Sequence, residues 1–118
     1  MHAERFIRAR TENGESVVLV AQASSGALVG FCQIYPSFCS VAAAPIYVLY
    51  DLFVAPEARR GGVAKALLAA AHERARADGK VRMDLTTAKT NLKAQTLYES
   101  MGWRRDEVFF TYTLAIGR

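Results

Sequence analysis

The chain has 118 residues, a mass of 13.0 kDa, 52% hydrophobic and 22% charged residues, and a formal net charge of +4. A chain of this mass buries about two-thirds of its unfolded surface, which supports one domain over residues 1–118 and leaves no room for two cores. The composition excludes a disordered chain, and the longest apolar stretch, Ala42 to Ala55, is cut by Pro45 and Asp51, which excludes a transmembrane helix.

The opening Met1-His2-Ala3-Glu4-Arg5 has no apolar signal region, so the expected compartment is cytoplasmic. Residues 3–11 read as a short helix, with Ala3, Phe6 and Ile7 on one face, Arg5, Arg8 and Arg10 outside, and Asn13-Gly14 as its stop. Val17 to Ala21 is an unbroken apolar run, hence a strand. Ser24-Ser25-Gly26 turns it into a second strand, Leu28 to Tyr35. Pro36 is expected to end that strand and open a loop of small residues up to Pro45. Cys32 and Cys39 lie in this apolar region and read as buried free thiols of a reducing compartment. Ile46 to Val54 is a third strand, closed by Pro56.

Residues 60–78 form the clearest helix. Leu67, Leu68, Ala71 and Ala75 make its apolar stripe, Glu73, Arg74, Arg76 and Asp78 lie opposite, and Gly79 stops it. Val81 to Thr86 alternates as a strand, Asn91 suits the cap of a second helix with Leu92, Thr96 and Leu97 at helical spacing and Gly102 after it, and Val108 to Ile116 reads as a closing strand. Antiparallel strands followed by a strand–helix–strand unit predict a mixed α/β or α+β sheet with helices on its faces.

Charge is uneven along this order. Residues 57–105 carry eleven Lys or Arg against five acids, while both flanking segments are slightly acidic. Such a segment faces an anion, either nucleic acid or a phosphorylated small molecule. Metal-ligand spacing is absent, and His72 sits on the polar helix face.

The informative stretch runs from Leu49 to Ala64. A strand enters a loop carrying Arg59, Arg60, Gly61 and Gly62, and a helix follows at once. The first turn of a helix offers free N–H groups and the positive end of a dipole, and glycine lets a ligand approach the backbone. The arrangement suits a pyrophosphate; the plainer alternative is a strand-to-helix turn in which glycine only relieves strain. Neither the dinucleotide fingerprint nor the nucleotide-triphosphate loop is present.

Arg59-Arg60-Gly61-Gly62-Val63-Ala64 resembles the Arg/Gln-x-x-Gly-x-Gly/Ala signature of the GNAT superfamily of acetyl-CoA-dependent N-acetyltransferases. Leu52-Phe53-Val54-Ala55-Pro56 is similar to the end of that family's fourth strand, and Asn91, Ala94 and Leu97-Tyr98-Glu99-Ser100-Met101-Gly102-Trp103 to its later Asn…Ala…Leu-Tyr-x-x-x-Gly-Phe element. The resemblance is specific over residues 46–104. It implies a mixed, mostly antiparallel sheet flanked by helices, with the family's first strand and helix missing and Ala64 in place of the last glycine.

On this resemblance, Arg59, Arg60, Gly61, Gly62, Val63 and Ala64 hold the pyrophosphate of acetyl-CoA, and Leu52, Phe53 and Val54 pair with its pantetheine arm. Asn91 contacts that arm, caps its helix, or does both. Tyr98 donates a proton to the leaving thiolate; without the motif it reads as a half-buried aromatic. Asp51, the lone carboxylate on the fourth strand, is a base, a partner of the substrate ammonium, or a structural strand-end residue. Tyr35, Phe38, Tyr47 and Tyr50 are candidates for an acceptor pocket or ordinary core aromatics.

The implied function is transfer of an acetyl group to a primary amine of a small molecule or peptide by direct attack, with no metal, membrane or nucleic-acid partner. The competing readings are a non-catalytic acyl-CoA-binding module and a basic nucleic-acid-binding domain, the latter lacking interleaved aromatics. A missing first strand would leave Val17-Val18-Leu19-Val20 as a bare apolar edge. That edge and the long strand Val108 to Ile116 predict a homodimer, unless residues 1–12 fold back over the edge as a helix.

Overall fold

A computed structural model describes residues 5–12, 16–39, 44–59 and 62–117. The chain forms two units, residues 1–86 and 87–118.

The first unit is a five-stranded sheet in sequential order. Strands β1 (Arg5–Glu12), β2 (Ser16–Ala23), β3 (Leu28–Cys39) and β4 (Ala44–Val54) are successively antiparallel, and β5 (Met83–Asp84) joins β4 in parallel. Helix α1 (Val63–Ala77) connects β4 to β5. This is the mixed, mostly antiparallel α+β arrangement expected. Alternation sets the core: Val17, Leu19 and Ala21 pair with Ile34, Cys32 and Gly30, and this face is buried together with Val63, Leu67, Leu68 and Ala71 of α1. Cys32 is fully buried, with its Sγ 4.0 Å from the Leu67 carbonyl, and burial pushes its thiol up to about 12. The side chain of Cys39 lies outside the described residues.

Several expectations are corrected. Residues 5–12 form a strand, not a helix, and lie along β2 from Arg5 opposite Ala23 to Glu12 opposite Ser16. An isolated helix of this length is marginal in water, whereas a free sheet edge offers every residue a ladder position. The edge at Val17 to Val20 is therefore covered, and only residues 13–15, outside the described set together with the expected Asn13-Gly14 stop, separate β1 from β2. Pro36 does not end β3, which stays paired with β4 as far as Cys39 opposite Ala44. Among the described residues the β2 ladder stops at Val17 opposite Ile34 and Pro36 pairs with β4 alone, an edge site that tolerates a missing donor. Residues 40–43 of the expected loop are outside the described set. The last sheet strand is shorter than expected, although Val81 N–H donates to the Pro45 carbonyl (3.0 Å) and Tyr47 N–H to the Arg82 carbonyl (3.1 Å).

In the second unit, α2 (Leu92–Ser100) is capped as expected: the Asn91 side-chain oxygen accepts from the Ala94 N–H at 3.1 Å. Gly102 follows at φ 97°, where glycine is favoured. The expected closing strand Val108 to Ile116 does not form. Phe110, Tyr112 and Ile116 are 86–91% exposed. Strand propensity alone does not make a strand, which needs pairing and packing as well.

Candidate active site

The site is built where β4 runs out into α1. The Ala55 N–H donates to the Val29 carbonyl at 2.9 Å and holds the exit of β4 against β3. A 3-10 turn, Pro56–Ala58, follows, and Arg59 folds back so that its Nε donates to the Val54 carbonyl at 3.1 Å. Arg60 and Gly61 lie outside the described residues. Gly62 enters α1 in the left-handed region, φ 78°, and its carbonyl accepts the Ala66 N–H at 3.0 Å. A side chain here would be strained by about 1–2 kcal/mol. No side chain caps α1, and its first turn holds no acid. Val63 is buried at 2% exposure, Ala64 is half-buried and Lys65 is exposed. The start of α1 is thus anchored in the core through Val63, with its dipole end and Lys65 left to an anion.

Beside this turn, β4 loses one neighbour before the other. Pairing with β5 covers Tyr47 opposite Met83 and Val48 opposite Asp84, while pairing with β3 continues to Val54 opposite Gly30. Among the described residues no strand pairs with Leu49 to Val54 on the β5 side. On the β3 side the ladder carries a bulge: Ile34 faces Leu49 and Gln33 faces Asp51, so Tyr50 has no ladder partner. Leu52 and Val54 are half-buried, and Phe53 packs on Phe31 with ring centroids 5.8 Å apart. Asp51 is exposed beside the bulge.

Tyr98 and Asn91 belong to the second unit. Tyr98 is half-buried on α2 against Trp103, with ring centroids 5.9 Å apart, and burial raises its phenol above the ordinary value. The oxygen of Asn91 is engaged by its own helix, which leaves its amide N–H groups as donors.

Two features escaped the sequence reading. A Cβ on Gly30 would meet the Phe53 carbonyl at 2.8 Å and Val63 Cγ1 at 2.9 Å. Glycine lets β3, β4 and the start of α1 close on one another, and its place inside the apolar run Leu28 to Phe31 was the available signal. At the other end of α1, the buried Tyr47 hydroxyl donates to Asp78, which also accepts from Arg74 Nε at 2.7 Å, and Lys80 Nζ stands 4.8 Å over the Tyr47 ring. Burial and that bond push the Tyr47 phenol up to about 12, and the bonds from Tyr47 and Arg74 hold the Asp78 carboxyl below its usual range.

The family model of the acetyltransferase (GNAT) family matches residues 1–103. The chain belongs to the GNAT acetyltransferase family. It is 45% identical, over 97% of its length and 76% of the relative's, to the uncharacterized N-acetyltransferase YhfO of Bacillus subtilis (strain 168). The solved structure of a probable acetyltransferase matches 88% of the chain and 70% of its own, with TM-score 0.80 and 46% identity. The structure of AAC(6')-Iy in complex with the bisubstrate analogue CoA-S-monomethyl-acetylneamine matches 86% of the chain and 71% of its own, with TM-score 0.73 and 25% identity. The chain is accordingly an acyltransferase of the GNAT type, and its family generally uses acetyl-CoA. The described residues fit that cosubstrate: an uncapped, acid-free helix start for phosphates lies next to a strand edge open to an extended amide chain. Among the described residues no helix is long and apolar enough to cross a membrane.

Proposed function

We propose that residues 1–118 act as one catalytic domain that acetylates a primary amine of a small molecule or peptide within a ternary complex. The observation that carries this reading is the pairing of an anion-ready helix start at Gly62 with the unpaired edge of β4. Acetyl-CoA supplies the acetyl group as a thioester. The amides from Arg59 through Ala64, with Arg60 and Gly61 included on the motif, cradle its phosphates, and the backbone of Leu52, Phe53 and Val54 pairs with its extended arm. A β4 N–H polarises the reacting carbonyl. The amine nitrogen bonds to the carbonyl carbon as the carbon–sulfur bond breaks; the amine loses a proton and the sulfur gains one. Tyr98 supplies the latter, and burial, which favours its neutral form, keeps that proton in place at neutral pH. An alkylammonium is under about 0.1% neutral at pH 7, so the acceptor needs help in shedding its proton. Asp51 faces it as proton acceptor or ammonium partner, and Asn91 donates to the coenzyme arm.

Thiol release with a panel of amines tests the reading. Gly62→Glu puts bulk and negative charge against the phosphates and abolishes both thiol release and the rise in Tm that acetyl-CoA gives the wild type. A full Tm shift in the variant places the phosphates elsewhere. A wild type that shows the shift yet releases no thiol with any amine is an acyl-CoA-binding module.

We further propose a homodimer in a reducing cytoplasm. The alternating apolar segment Val108 to Ile116, exposed and in no strand, supports a partner subunit, and the buried free thiol of Cys32 supports the compartment. Light scattering at micromolar concentration decides the dimer: twice 13.0 kDa supports it and 13.0 kDa overturns it.

A further inference from the structure

The bulge that interrupts β4 also shapes a cavity. An open pocket of about 550 Å³ is lined by Tyr35, Pro36 and Ser37 of β3 and by Val48, Tyr50 and Asp51 of β4. It lies on the sheet face away from α1: Ile34 and Leu49 pair and are buried on the α1 side, while Tyr35 and Val48, the next pair, point to the other. The extra residue Tyr50 is 68% exposed, yet its ring is ordered edge-on to Tyr35, with centroids 5.0 Å apart. The pocket therefore begins at Val48, the last β4 residue paired with β5, and sits beside the strand edge assigned above to the coenzyme arm.

Its lining has one electrostatic sign. Among the described lining residues Asp51 is the one carboxylate, none is Lys or Arg, and the aromatic faces carry the negative part of their quadrupoles. Such a wall attracts an organic cation. The volume falls in the range of small-molecule sites and far exceeds a single ammonium group, so it has room for a chain that carries charge at a distance from the reacting nitrogen. General-base work on an alkylammonium calls for a carboxylate shielded from water, whereas the exposed Asp51 next to two rings suits ion pairing.

We propose that this pocket selects the acceptor: Tyr35 and Tyr50 form an aromatic wall and Asp51 a counter-ion for a second, non-reacting ammonium group, so that the substrates are small amines bearing two or more positive charges. The proposal rests on the acetyl-transfer reading and names its acceptor class. Asp51 is then a specificity residue rather than the base.

Two probes of equal carbon-chain length test it, cadaverine with two amino groups and pentylamine with one. Binding is read by calorimetry in the absence of acetyl-CoA, and kcat/KM by thiol release in its presence. Cadaverine is expected to bind and react about two- to fivefold better than pentylamine, the scale of one exposed cation–π or charge contact. Asp51→Asn and Tyr50→Ala each bring the two amines near parity, and Tyr50→Phe, which keeps the ring, restores the preference. Both positions are exposed, so the fold survives, as an unchanged Tm would show. Equal binding of the two amines by the wild type, or a preference that survives both Asp51→Asn and Tyr50→Ala, overturns the proposal. Selective cadaverine binding that these variants abolish, with no thiol released from any amine, supports the cation pocket and instead overturns the acetyl-transfer reading.

Discussion

On α1, Leu67 and Ala71 are wholly buried against the sheet, whereas on α2 no residue is buried and the segment after it exposes Phe110 at 89% and Tyr112 at 91%. Both helices carry clear start and stop signals. The first is held by what it covers. Within its own unit the second shows local devices: the Asn91 cap, the Thr96 hydroxyl donating to the Leu92 carbonyl at 2.9 Å, and the turn at Gly102 closed by Trp103 N–H on the Tyr98 carbonyl at 3.1 Å. The lesson is that a capped, amphipathic-looking segment and a buried one are different outcomes of similar sequence signals, and the difference lies in surface offered by residues far along the chain.

The sharpest way to break the contrast is to push α1 off its sheet. Gly30→Ala places a methyl group within 3 Å of the Phe53 carbonyl and of Val63, and one of these must move. Overpacking of this kind costs about 1–3 kcal/mol. The expected result in urea unfolding is a lower midpoint for the sheet transition. Because Val63 opens α1, the acetyl-CoA-induced Tm rise should shrink as well, although residue 30 belongs to no signature. A stable variant with an intact ligand shift would detach the helix start from β3.

That dependence marks how far the sequence could be read. Strands β2 to β4, helix α1, the Gly79 stop and the Asn91 cap were legible because each has a period or a capping residue of its own. The signature at Arg59 to Ala64 was legible because its glycines and arginines are contiguous. What was not legible depends on partners. Ile7 and Ala9 alternate with Arg8 and Arg10 at the period of a strand, yet the same residues can be drawn on a helical face, and only the β2 edge decides between them. Val108 to Ile116 is the reverse case, a strand pattern that takes up no strand. The pocket at Tyr35 and Tyr50 was equally hidden, because it depends on a bulge that no single residue type announces.

Alkaline titration sharpens the comparison at intermediate size. Cys32 and Tyr47 of the first unit are both pushed up to about 12, from 9.0 and 10.0. Each is held neutral by the fold, so the unfolded chain gives up its proton first. Their stabilisation is complete below the unfolded values and is lost as pH rises from about 9 towards about 12. The slope expected from each group is at most about 1.4 kcal/mol per pH unit within its window. Tyr47→Phe should lower stability at neutral pH by freeing Asp78 and Arg74, and should flatten the alkaline part of the curve. A variant with an unchanged slope would assign the loss to Cys32 alone.

The smallest effect concerns Asn91, where the local and functional roles can be separated atom by atom. The cap uses the side-chain oxygen, which accepts from the Ala94 N–H. A contact to the coenzyme arm would use the amide N–H groups. Asn91→Ala removes both and should weaken α2 by about 1 kcal/mol, read as faster hydrogen exchange at Ala94, with little change in the sheet transition. Asn91→Asp keeps an acceptor at the helix start and improves its charge relative to the dipole, but it has no N–H to donate. Exchange at Ala94 should therefore stay slow in the aspartate variant. If its KM for acetyl-CoA rises several-fold while that exchange is unchanged, Asn91 touches the coenzyme as well as its own helix. A KM equal to the wild type's would leave the residue a cap and nothing more, and would place the whole coenzyme contact on β4 and the start of α1.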